Sequence, residues 1–76
     1  MENIEINPKI MLGKPVIKGT RIAVEYVISM MAQGTSIDEI LLEYKGLVKE
    51  DILACLHYAE NILEKTTTLD LNKIVS

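Results

Sequence analysis

The lysine and arginine side chains near Gly13 and Gly19 are the residues whose types and spacing most directly indicate a binding function. Lys14, Lys18 and Arg21 fall within a ten-residue run, Gly13 to Ile22. Ammonium and guanidinium groups on a tight turn can bind phosphate oxygens, so the run is a candidate contact for an anionic partner such as duplex DNA. The same pattern fits a structural turn with solvated lysines, and the residues alone leave both interpretations open.

Groups that could act in catalysis are sparse. His57 is the single histidine, and no serine, cysteine or acid stands at a persuasive catalytic spacing from it. Cys55 falls on a predicted apolar helix face, where a small buried residue is expected rather than a reactive thiol. There is no cluster of metal ligands and no phosphate-binding loop motif. We therefore expect a protein that is not an enzyme and that uses no metal or cofactor.

Composition limits the remaining functions. The 76 residues make one domain, with 49% hydrophobic residues but neither tryptophan nor phenylalanine. A small aliphatic domain buries too little surface on its own, so we expect a homodimer. The single cysteine fits a reducing cytosol, and no apolar run is long enough to cross a membrane, which predicts a cytoplasmic protein without a membrane segment.

Charge is distributed unevenly along the chain. Residues 1–24 carry two net positive charges, whereas residues 25–64 carry six net negative charges. A basic segment joined to an acidic helical body is compatible with an anionic partner. Because the acids lie on the predicted helices, any phosphate affinity must come mostly from the basic segment.

The elements that must position these residues begin with extended chain. Residues 3–7 alternate apolar and polar side chains with the period of a strand, and Pro8 interrupts the pattern, so we expect a short extended arm. Lys18 and Gly19 separate two apolar pairs, at 16–17 and 22–23, so we expect a β-hairpin that turns there. Apolar residues at positions 24, 27, 28 and 31 then predict a first helix over about residues 23–33, ended by Gly34.

Two further helices follow. Ser36 and Glu39 match a capping box at the start of a short helix that we expect Gly46 to end. A longer helix is predicted from near Lys49 to about residue 65, with an inner stripe at positions 52, 55, 56, 59 and 63. The fold class is therefore mainly α: a three-helix, helix-turn-helix bundle with a short N-terminal β-hairpin, over residues 1–65.

The tail, residues 66–76, is a separate segment. Its apolar residues alternate with polar ones, and three threonines separate it from the long helix. We expect the tail to be dispensable for folding and to contribute to partner binding. Its candidate partner-binding residues are Leu69, Leu71 and Ile74.

The motifs together resemble a known family. The run GKPVIKGTRI, the helix that ends at Gly34, the Ser-x-x-Glu-Ile helix start and the Glu-Asp-Ile helix are similar to the domain of unknown function 433 family over about residues 8–61. The resemblance implies a homeodomain-like fold, often dimeric, and an antitoxin that pairs with a PIN-like ribonuclease. Lys45 replaces a frequent proline of the family, and Val48 replaces a frequent Thr or Ser cap of the third helix.

Two functions follow as expectations. The first is an antitoxin-like dimeric helix-turn-helix protein that binds a PIN-like ribonuclease toxin and also operator DNA. The alternative is a protein-binding or dimerisation module without DNA binding, which the acidic helices favour. The candidate DNA contacts are Lys14, Lys18, Thr20, Arg21, Lys45 and Lys49.

Overall fold

A computed structural model describes residues 3–67 of the chain, and the side chains of residues 3–65. Three helices form most of it, and a short antiparallel pair of strands precedes them. The mainly α, three-helix fold with an N-terminal hairpin is confirmed. The elements are β1 (Ile4–Glu5), β2 (Val16–Ile17), α1 (Val24–Ala32), α2 (Ile37–Glu43) and α3 (Lys49–Thr67).

β2 pairs with more of the chain than the sequence predicts. β1 pairs with β2 in the register Ile4 to Ile17, so the extended arm at the start of the chain is one strand of the sheet. The predicted turn at Lys18–Gly19 is present as well, because a bridge joins Val16 to Ala23 beyond it. β2 therefore has a partner on both sides, which no local pattern in the sequence could specify.

Between the two strands the chain makes a turn with an unusual backbone. Met11, Leu12 and Gly13 all have positive φ, at 51°, 57° and 82°. The turn is closed at both ends, since the Gly13 and Lys14 amides donate to the carbonyls of Ile10 and Met11. We call residues 11–13 the left-handed turn.

Local signals account for the first two helices. α1 ends in a Schellman motif, with Gly34 at φ 99° and the Gly34 and Thr35 amides donating to the carbonyls of Met31 and Met30. Ser36 and Glu39 form the predicted capping box of α2, with bonds of 3.1 and 2.9 Å. Both predictions are confirmed.

The end of α2 comes earlier than predicted. Tyr44, not Gly46, is its C-cap, and the Tyr44 amide still donates to the carbonyl of Ile40. The Leu47 amide then donates to the Tyr44 carbonyl, which turns Leu47 into the core, where it is 6% exposed. The prediction that Gly46 ends the helix is wrong because this turn needs no positive φ at residue 46.

The core lies where α1, α2 and the first half of α3 meet β2. Its largest fully buried side chains include Ile17, Ile40 and Ile52. The inner stripe of α3 is confirmed at Ile52 and Cys55, which are fully buried, but Leu63 at its far end is 60% exposed. The nine residues of α1 cannot cover the nineteen of α3, so the last turns of α3 extend past α1.

Candidate functional site

The basic turn after β2 is the first of two candidate surfaces. Lys18 and Arg21 are exposed on it, and Gly19 between them has φ 82°. The Thr20 hydroxyl donates to the Ile17 carbonyl at 2.7 Å and accepts from the Ile22 amide at 3.0 Å. Thr20 thus shapes the turn through its own hydroxyl, while Lys18 and Arg21 present their charges to solvent.

Asn3 fixes this turn against the start of α3. Its carbonyl accepts from the Lys18 amide at 2.8 Å, and its side-chain amide donates to Asp51 at 3.0 Å. The second oxygen of Asp51 accepts from the Val48 amide at 3.0 Å. The turn and the first residue of α3, Lys49, therefore lie on the same end of the molecule.

The same Asp51 compensates for the missing cap. Val48 has no side-chain oxygen for the first amides of α3, but Asp51 supplies the reciprocal half of a capping box by accepting from the Val48 amide. α3 accordingly begins at Lys49, as predicted.

Lys14 is the one candidate DNA contact whose charge is neutralised by a described neighbour. Its ammonium nitrogen lies 2.6 Å from Glu25 of α1, and both side chains are more than half exposed. Glu25 thus pairs with Lys14 and not with Arg21, the cation four residues before it in the sequence. Lys14 therefore joins the hairpin to α1, and its charge is less available to an anionic partner than the charges of Lys18 and Arg21.

The remaining candidate cations lie near the turn between α2 and α3. Lys45 is exposed in that connection, and Lys49 is exposed at the start of α3. Glu50 follows Lys49 directly and is also exposed. This end of the molecule therefore carries carboxylates beside its cations, which weakens its attraction to phosphate.

An apolar groove is the second candidate surface. It has a volume of about 430 Å³, and the Lys14–Glu25 pair lies on its rim. The Pro15 carbonyl accepts from the Val24 amide at 2.9 Å, which holds the hairpin wall of the groove to α1. The other lining residues are apolar or aromatic: Pro15 from the hairpin, Val24 and Ile28 from α1, and Tyr58, Ala59, Ile62 and Leu63 from α3.

Catalytic groups do not assemble on the described residues. His57 is exposed, and its Nδ1 lies 3.6 Å from Glu60 one turn further along α3. Burial, with a smaller contribution from Asp51, raises the pKa of the Cys55 thiol to about 11, so this thiol is a poor nucleophile. Within residues 3–67, no three His, Cys, Asp or Glu side chains are placed to hold a metal ion, and no helix is long and apolar enough to span a bilayer.

Comparison with known proteins assigns the family. The family model described as "Protein of unknown function (DUF433)" matches residues 4–59, most of the chain. The chain belongs to the DUF433 family. A crystal structure of a DUF433 member protein from Anabaena variabilis is 36% identical, with a TM-score of 0.78 over 83% of this chain. The match covers 62% of that longer chain, and no curated protein matches.

The DUF433 match leaves part of the groove outside the family model. The matched region stops at Ala59, whereas Ile62 and Leu63 line the groove beyond it. The predicted partner-binding residues Leu69, Leu71 and Ile74 lie outside the described residues. The family model thus covers the hairpin and the helical core, and two residues of the groove wall lie beyond it.

Sequence reasoning missed three features of these surfaces. One is the pair of bonds by which Asn3 joins the Lys18 amide to Asp51, which we call the Asn3 bridge. No sequence pattern indicated it, because a lone asparagine in an extended segment does not indicate its partner. Tyr26 and Tyr44 pack edge to face with centroids 6.4 Å apart, and the bond between their hydroxyls raises the pKa of Tyr44 to about 12. The groove had a partial signal in the apolar residues of α3 beyond the inner stripe.

Proposed function

We propose that this chain is an antitoxin-like adaptor that acts by binding proteins: a homodimer that also binds a PIN-like ribonuclease in the cytoplasm. This function is non-catalytic. The apolar groove is the observation that carries it. The DUF433 resemblance supplies the ribonuclease as the expected class of partner.

The groove has the properties of a protein-binding surface rather than of a small-molecule site. Ile62 and Leu63 are 46% and 60% exposed on its wall, although both are large apolar side chains. Its charged groups are confined to the Lys14–Glu25 pair on the rim, and Tyr58 supplies the one other polar side chain of the lining, so few groups are placed to orient a metabolite. An apolar centre with a charged rim is typical of interfaces between proteins.

A matched pair of variants tests this function. Leu63→Arg places a charge on the groove wall, whereas Leu42→Arg makes the same change at an exposed leucine of α2 outside the groove. The product of the adjacent reading frame is co-purified with each variant and its affinity is measured by calorimetry. We expect Leu63→Arg to weaken binding at least tenfold and Leu42→Arg to bind as the wild type. Equal affinities for both variants would refute the groove as the binding surface.

Operator DNA is a second candidate partner, favoured by the position of the basic turn. Lys18 and Arg21 are exposed beside the start of α3, and the start of the recognition helix is the part of a helix-turn-helix protein that enters the major groove. A dimer with four to six phosphate contacts has a log–log salt slope of roughly −4 to −5.

The DNA test compares two pairs of cations, one pair on the basic turn and one pair outside it. Lys18→Ala with Arg21→Ala should abolish binding to the upstream region at low salt, whereas Lys9→Ala with Lys65→Ala should leave most of it. Gel-shift titrations with and without the adjacent gene product measure this. If no shift occurs in either condition, the protein-binding module without DNA contact is the correct function.

A further inference from the structure

The groove lies next to the point where the chain leaves α3. Leu63 lines the groove, and α3 continues for four more residues to Thr67, about 6 Å along the helix axis. Nine residues, 68–76, follow outside the described part of the chain. Fully extended, they can span roughly 30 Å.

The side chains of this segment suit the groove in size and pattern. Leu69 and Leu71 alternate with Asp70 and Asn72, so in an extended conformation both leucines lie on one face. Removing one buried leucine side chain from a protein core leaves a cavity of about 150 Å³. A groove of about 430 Å³ therefore has room for two leucine side chains and part of the backbone between them.

The charges are also complementary. The groove rim carries one cation and one anion, Lys14 and Glu25. The segment carries one of each as well, Asp70 and Lys73. The groove rim and the segment thus each carry one charge of either sign, so no net charge repulsion opposes their association.

The segment is better placed to bind the groove of a second copy than the groove of its own chain. To reach its own groove, the segment would have to reverse direction directly after Thr67. The next two residues, Thr68 and Leu69, are not residue types that favour reversals, and no glycine or proline follows. A segment that continues away from α3 reaches another molecule without such a turn.

We propose that residues 68–76 of one copy bind in the apolar groove of a second copy, with Leu69 and Leu71 as the anchors. The exchange is reciprocal in a dimer, so each copy gives one segment and receives one. This inference rests on the homodimer of the proposed function. It also makes the exchanged segment a competitor of any other protein that binds the groove.

A complementation experiment on the full chain tests the exchange. One variant, Leu63→Arg, has a blocked groove and an intact segment; the other, Leu69→Ser with Leu71→Ser, has an intact groove and no anchors. Dimer dissociation constants are measured by fluorescence energy transfer between labelled copies. We expect each variant alone to self-associate at least tenfold more weakly than the wild type, and a mixture of the two to associate more tightly than either alone. Asn72→Ser should behave as the wild type.

Two outcomes would overturn the proposal. If the serine variant self-associates as tightly as the wild type, the segment is not in the interface. If the mixture of the two variants associates no more tightly than either variant alone, the segment does not bind across copies. Circular dichroism confirms that each variant is folded before it is scored. The serine variant separates this proposal from the proposed function: it keeps the groove intact and loses only the competing segment, so it should bind the adjacent gene product at least as tightly as the wild type even if no exchange occurs.

Discussion

Met11 and Leu12 adopt backbone conformations that residues with a Cβ seldom hold. Each has φ above 50°, where the Cβ approaches the following carbonyl oxygen at a cost of about 1–2 kcal/mol. Leu12 regains nothing by burial, since it is 94% exposed. The left-handed turn is therefore held by the structure on either side of it, namely the pairing of β1 with β2.

Replacing Leu12 by glycine should stabilise the chain. Leu12→Gly removes the Cβ that is strained at φ 57°, and we expect a gain of about 0.5–1 kcal/mol after the entropy cost of glycine. Leu42→Gly is the control, because Leu42 is 77% exposed but helical, and it should lose about 0.5–1 kcal/mol. Urea unfolding of both variants measures the difference, and a loss in both would show that residue 12 is unstrained.

Gly19 offers a second test of backbone strain. A Cβ at Gly19 meets no atom within 4 Å, so only its φ of 82° opposes a side chain. Gly19→Val should cost more than about 1 kcal/mol. Gly46→Val is the matched control, since Gly46 has equally open surroundings but no positive φ. Melting temperatures that fall equally in both variants would contradict this account of the turn.

Helix ends determine how far each element extends. Gly34 and the Ser36–Glu39 box were predictable because their signals lie within a few residues of the structure they specify. The exposure of Leu63 was not predictable in this way, since it depends on the relative lengths of α1 and α3. Local chemistry thus specified the end of α1 and the start of α2, whereas the exposure of each helical turn depends on the lengths of the helices packed against it.

The capping box makes part of the stability depend on pH. The hydrogen bond from the Ser36 amide, followed by the one that involves its hydroxyl, lowers the pKa of Glu39 below its ordinary value of 4.5. A carboxyl with a lowered pKa in the folded state stabilises above its unfolded pKa and loses that contribution as pH falls through the folded value. We expect Glu39→Gln to melt below the wild type at pH 7 and to approach it as the pH falls below 4. A constant difference in melting temperature across that range would contradict the linkage.

The start of α3 can be improved. Val48 occupies the N-cap position; the Asp51 carboxylate accepts from the Val48 amide, but Val48 has no side-chain oxygen to accept from the amides of the first turn. Val48→Thr supplies the missing oxygen, and Val48 is more than half exposed, so little packing is lost. We expect a gain of about 0.5–1 kcal/mol in the free energy of unfolding. Val48→Ala, which supplies no oxygen, should not reproduce the gain in urea unfolding.

At the scale of the whole molecule, the last turns of α3 extend past α1 and form one wall of the groove. The three helices and the basic turn were predictable from residue types, but the groove was not, because it forms between the hairpin, α1 and α3. The β1–β2 register and the Asn3 bridge escaped prediction for the same reason, since both join positions far apart in the sequence. Surfaces formed by distant elements are therefore the part of this protein that required a structure.

Dimerisation should be visible in the stability of the molecule. If two copies bury the groove, folding and association are linked and the melting temperature rises with protein concentration. We expect this rise for the wild type between 1 and 100 μM, a range of about 100-fold chosen to span a dissociation constant near ~10 μM. Sedimentation equilibrium that gives a clean monomer of 8.5 kDa over this range would contradict it.

The bond between Asn3 and Asp51 also has a consequence for the order in which the chain folds. It joins residues 48 positions apart, and the same Asn3 holds the Lys18 amide. Closing so long a loop is slow compared with forming α1 or α2, whose contacts are local. The first strand can gain this support only after α3 has emerged and docked. In a hydrogen-exchange pulse during refolding, the amides of the helices should become protected before that of Lys18.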